Sequence, residues 1–167
     1  MENKIIINSL KIHFFKTFSM LEEIIELCPN KLWYNKISGF IFCQQILHTL
    51  YWTKYWLIKE EIPLDKLWEN IHEISKMETD VIENITKENV RKYSYEVKCI
   101  VEKLLINKDD NWLKMKSEKH IKINNFDIIE MQIKHIMYHI GFCDAIFREN
   151  KIGTIKYLDY YGERNKE

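Results

Sequence analysis

The sequence predicts an all-α protein, a four-helix bundle with long inter-helix loops and a short extra helix. Gly occurs 4 times and Pro 2 times in 167 residues, so element interiors hold few breakers. A β-rich chain of this length needs many more turn residues. Hydrophobic residues make up 46% and charged residues 30%, a globular balance rather than a disordered one. Four long stretches repeat their apolar residues at the 3.6-residue period of a helix. The length suits a single domain, 1–167, able to bury a sizeable core.

The first helix is predicted over 8–27, where Leu10, His13, Phe14, Phe18, Leu21, Ile24 and Ile25 form one stripe. Pro29 ends it, because proline disfavours the α region at the residue before it. Residues 31–38 read as a linker carrying Trp33 and Tyr34. The second helix spans 39–60 and is the most apolar, with Phe40, Ile41, Ile46, Leu47, Leu50, Trp52, Trp56 and Leu57. Apolar residues go most of the way round it, so it is predicted to be the most buried element. Pro63 closes this region, and Asp65 reads as the N-cap of a short helix through Leu67, Trp68, Ile71 and Ile74. The third helix, 86–105, opens on the cap residue Thr86 and carries Val90, Tyr93, Val97, Ile100, Val101, Leu104 and Leu105. A polar break at 107–111 precedes 112–123, which reads as an ordered loop. The fourth helix, 125–150, carries Ile128, Ile129, Gln132, His135, Ile136, His139, Ile140, Cys143, Ile146 and Phe147 inward, with Gly153 as its stop. A tail at 157–163 carries three tyrosines.

Charge and cysteine usage narrow the function classes. Lys plus Arg equals Asp plus Glu at 25 each, which argues against nucleic acid as a partner on electrostatic grounds. No apolar run reaches the length of a membrane span, and the N-terminus has no secretory cleavage pattern. Cys28, Cys43, Cys99 and Cys143 form no CxxC and read as reduced thiols of a cytoplasmic protein.

His135 and His139 carry the chemistry. They stand four apart in an apolar helical stretch, so they lie one above the other on one face and can chelate one ion. Burying two imidazoles there without partners costs about 1–3 kcal/mol for each unsatisfied polar group. A metal satisfies both, although the spacing alone leaves a hydrogen-bonded core pair equally open. His48, in the middle of the second helix, is a third candidate that spacing does not select. Three protein ligands with an open position make a catalytic metal site rather than a closed structural one. His13, His72 and His120 each stand alone and read as hydrogen-bonded core residues. Cys143, one turn after His139, reads as a small apolar residue more than as a fourth ligand. Other site types lack their residues. Glu130 is five before His135, so the Glu-x-x-His pattern of a di-metal bundle is missing, and Ile136 stands where HExxH needs Glu.

In this order of features the chain resembles the DinB-like (DinB/YfiT) superfamily. The resemblance rests on His48 in His48-Thr49-Leu50-Tyr51-Trp52, on the pair in 132–141 with Gly141 after it, on Lys87-Glu88-Asn89 with Tyr93, and on the tail 157–162. It covers about residues 8–162, and the three-His order is its most specific part. It implies a four-helix bundle of up-down-down-up type that binds a divalent metal through His48, His135 and His139. Imidazole ligands suit several metals, of which zinc or nickel is expected. Activities in the family include thiol-dependent S-transferases, a thiol-dependent isomerase and metal-dependent hydrolases. The expected function is therefore a metal-dependent thiol S-transferase or hydrolase acting on a small electrophilic substrate, with a low-molecular-weight thiol as cosubstrate. The alternative is a non-catalytic metal-stabilised binding or stress-response module. Catalytic residues are not assigned; Gln44, Gln45, Tyr51 and Tyr138 lie near the ligands in sequence. Aromatic residues make up 13%, and Trp33, Tyr34, Tyr55, Trp68, Trp112 and Tyr160 have no obvious inward place. A self-complementary aromatic patch, and hence a homodimer, is expected.

Overall fold

The computed structural model describes residues 4–59, 70–78, 85–159 and 161–163. In chain order its elements are α1 (Ile5–Leu27), α2 (Asn30–Trp33), β1 (Lys36–Ile37), β2 (Phe40–Ile41), α3 (Phe42–Leu57), α4 (Ile71–Ser75), α5 (Lys87–Leu105), α6 (Asp110–Lys114), α7 (Asn125–Glu149), β3 (Leu158–Asp159) and β4 (Gly162–Glu163). The protein is mostly helical, as the breaker-poor composition predicts. α1 packs on α7 and α5, and α3 packs on the same two, so each long helix has two long neighbours.

The stripes read from the sequence face this shared interior. Phe14, Phe18, Leu21 and Ile24 of α1 meet Ile46, Leu47 and Leu50 of α3, Val90, Val97 and Val101 of α5, and Ile129, Ile136, Ile140 and Phe147 of α7 in one buried cluster. Each such side chain is worth roughly 1.5–3 kcal/mol over leaving it in water.

Helix ends follow their caps. Thr86 accepts from the Asn89 amide at 3.2 Å, and Asn124 accepts from the Asp127 amide at 2.9 Å. The first helix has no capping side chain of its own. Its N-terminus is capped across the fold by buried Asp110, whose carboxylate accepts from the Ile6 and Ile7 amides at 3.2 and 2.8 Å. A carboxylate at a helix N-terminus also meets the positive end of the helix dipole.

The connections differ from expectation. The stretch read as a linker holds α2 and a tight hairpin, β1 against β2, turning on Ser38 and Gly39 with φ of 52° and 93°. Positive φ at both central residues is the two-residue turn that fits strand twist. The hairpin delays the second long helix to Phe42. Trp33 is fully buried rather than peripheral: its ring packs on Phe42 at 6.2 Å and its indole N–H donates to the Ile85 carbonyl at 2.7 Å. The break read at 107–111 is a helix start, since Asp109 accepts from the Trp112 amide at 2.9 Å and opens α6 within the supposed loop. The left-handed residue that stops α7 is Lys151, φ 56°, not Gly153. The Ile152 amide reaches back to the Phe147 carbonyl at 2.9 Å and the Lys151 amide to that of Arg148 at 3.1 Å, a Schellman ending. The tail pairs as β3 and β4 against α1. Of the expected short helix, α4 is its described end; Pro63, Asp65, Leu67 and Trp68, like Tyr160, lie outside the described residues. No described helix is long and apolar enough to cross a membrane.

Candidate metal centre

The packing of α3 on α7 brings His48, His135 and His139 together. His48 sits mid-way along α3, and the other two stand one turn apart on the face of α7 that meets it. Their ring centroids are 5.3 Å (48 to 135), 4.8 Å (48 to 139) and 4.7 Å (135 to 139) apart. The Nε2 atom of His135 lies 3.3 Å from that of His48 and 3.1 Å from that of His139. A tetrahedron with metal–nitrogen bonds of about 2.05 Å has edges of about 3.3 Å. The two Nε2 separations therefore match two edges of a tetrahedral site.

Hydrogen bonds fix which nitrogen of each ring is free. His48 Nδ1 lies 2.6 Å from the Ser75 carbonyl oxygen, and His139 Nδ1 lies 2.9 Å from Gln45 Oε1. Both partners are oxygen acceptors, so each ring donates from Nδ1 and keeps a bare lone pair on Nε2. Those two lone pairs face His135 Nε2, and one ring proton there satisfies only one of them. A cation at the meeting point satisfies all three, so the donor set fits a metal.

Electrostatics agree. Burial, then the neighbouring His48, lowers the His135 pKa to about 4. Burial, followed by His135 and His48, lowers that of His139 to about 3. Burial also lowers His48, partly opposed by its bond to Ser75. Near neutral pH the rings are therefore uncharged, the form that binds metal. Among the described residues, no carboxylate or thiol joins the group. Cys143 is buried and outside it, and burial drives its thiol upward, away from the thiolate that would ligate.

One side of the site is aromatic. The Trp52 ring lies 6.3 Å from that of His48 and packs against Tyr51 and Tyr55 at 5.2 and 5.1 Å. His72 joins this wall 5.8 Å from Tyr51 and 6.1 Å from Trp52.

The other histidines and the nearby candidates separate clearly. His13 and His72 are exposed rather than buried in a core, and the half-buried His120 ring lies tilted against Trp56 with centroids 4.1 Å apart. Gln45 touches the site, Gln44 is buried elsewhere on α3, and Tyr138 is 75% exposed. Sequence reasoning missed Ser75, which acts through its backbone carbonyl and so carries no side-chain signal. Gln45, already placed near the ligands in sequence, is buried three residues before His48 and so needs a partner. No family model, curated protein or solved structure matches this chain.

Proposed function

We propose that this chain is a DinB-like four-helix bundle that holds one divalent cation, zinc or nickel, on His48, His135 and His139. On this reading it works as a metal-dependent thiol S-transferase or hydrolase on a small electrophilic substrate. The observation that carries the reading is the convergence of three Nε2 atoms while two of the rings spend Nδ1 on oxygen acceptors.

A divalent cation on three neutral imidazoles keeps its full charge and supplies Lewis acidity that lowers the pKa of a water or thiol reaching it. The chain's own residues do the rest. Ser75 and Gln45 lock the tautomers and ring planes, so the ligands are set before substrate arrives. The wall of Tyr51, Trp52 and Tyr55 offers an apolar, partly wet surface against which an uncharged or planar electrophile can rest.

The test is turnover by the zinc- and nickel-loaded protein, with a chloronitrobenzene plus cysteine or glutathione for transfer and a nitrophenyl ester for hydrolysis. We expect metal-dependent consumption of the electrophile that disappears in His139→Ala. Tight metal binding with no metal-dependent turnover of any of these probes would favour the non-catalytic module.

A further inference from the structure

Two buried polar atoms on one turn of α7 have no hydrogen-bond partner: His135 Nδ1 and Gln132 Oε1. Gln132 is only 1% exposed. The three imidazoles are thus unequal. His48 and His139 are anchored through Nδ1, and His135 is not. When Nε2 of His135 faces a cation, its ring proton sits on Nδ1, a donor buried without an acceptor. Leaving that donor unpaired destabilises the bound state, and the stranded Gln132 oxygen carries a similar penalty.

The two orphans are complementary, donor and acceptor, and stand three residues apart on a helix. At that spacing Cβ atoms are about 5–6 Å apart. Helical side chains lean toward the N-terminus, which carries the His135 ring over the turn that Gln132 occupies. The terminal torsion of glutamine is soft, so its amide turns at little cost. Among the described residues, Ser94 Oγ on α5 and His120 Nε2 in the segment before α7 also lack a partner, but both are on other elements.

We propose that Gln132 is the positioning residue of His135, its Oε1 accepting the Nδ1–H of that ring when Nε2 engages the cation. The inference rests on the metal reading above. It turns the site into one in which every ligand is oriented by an oxygen: a backbone carbonyl for His48, the Gln45 amide for His139 and the Gln132 amide for His135.

The experiment is a zinc competition titration against a chromophoric chelator, using the full chain and three variants. Gln132→Leu, which removes the acceptor, should bind zinc about 10–100-fold more weakly than wild type, the usual effect of losing such a partner. Gln132→Asn draws the oxygen back by one methylene and should weaken binding similarly. Gln132→Glu keeps an acceptor in place and should restore affinity to within a few-fold of wild type or better. A second readout is the His135 Nδ1–H proton in the NMR spectrum of the zinc-loaded protein, slowly exchanging in wild type and lost to solvent exchange in Gln132→Asn. Should Gln132→Leu fail to fold, the comparison of Asn with Glu and the proton signal still decide. Wild-type affinity in both Gln132→Leu and Gln132→Asn overturns the inference while leaving the metal site standing. Absence of zinc binding by the wild type overturns both.

Discussion

At the scale of single residues, the site is a cluster of imidazoles held neutral by burial. That has a consequence for pH. In the unfolded chain a histidine titrates near 6.5, whereas His135 and His139 in the fold titrate at about 4 and about 3. Above about pH 6.5 these rings are neutral in both states and add no pH dependence. As the pH falls below that value, the unfolded chain takes up protons that the folded rings refuse, so stability is lost progressively until about pH 3–4. The metal-free protein should therefore melt at a lower temperature at pH 5 than at pH 7.5. In the double variant His135→Leu, His139→Leu this pH 7.5-to-5 loss should shrink clearly. An unchanged loss in the variant would mean that these rings are not the groups being held neutral. Much of this site was legible in the sequence: the pair four apart on an apolar face announced itself, and the family-like order added His48. The ring-orienting groups were harder to see, because Ser75 contributes a carbonyl that any residue carries.

At the scale of elements, stripes of Phe14, Phe18 and Leu21 or of Ile129, Ile136 and Ile140 placed the long helices to within a few residues. Connections were less readable. Ser38-Gly39 is a weaker hairpin pair than Asn-Gly, and two-residue strands leave no alternation to count. Asp109 and Asp110 look like a solvated polar break, yet one caps its own helix and the other caps α1 from over a hundred residues away. No local pattern encodes that second bond. Its worth is testable. Asp110→Ala strands the Ile6 and Ile7 amides and should destabilise the protein by about 2 kcal/mol. For a chain of this size that is a fall in melting temperature of roughly 4–8 °C. An unchanged melting temperature would show that the start of α1 contributes nothing to global stability.

At the scale of the whole molecule, the aromatic load divides. Trp33 is taken up by the interior and Trp112 packs partly against it, while Tyr34 and Tyr55 stay 45% and 37% exposed. The homodimer expected from the sequence therefore rests on fewer rings than the composition promised. Tyr138, 75% exposed on α7 beside the site, and Tyr95, 69% exposed on α5, are the largest outward ones on the long helices. Light scattering at micromolar concentration should give twice the chain mass of 20.4 kDa; the chain's own mass rules the dimer out. Metal binding belongs to the same scale, because a cation that binds only the folded state stabilises all of it. The most direct measurement is the metal content of untagged protein after equilibration with a small excess of zinc and gel filtration, beside that of His139→Ala. One zinc per wild-type chain and essentially none in the variant is the result that three convergent imidazoles require. No zinc in either protein, or equal zinc in both, would contradict the metal centre itself.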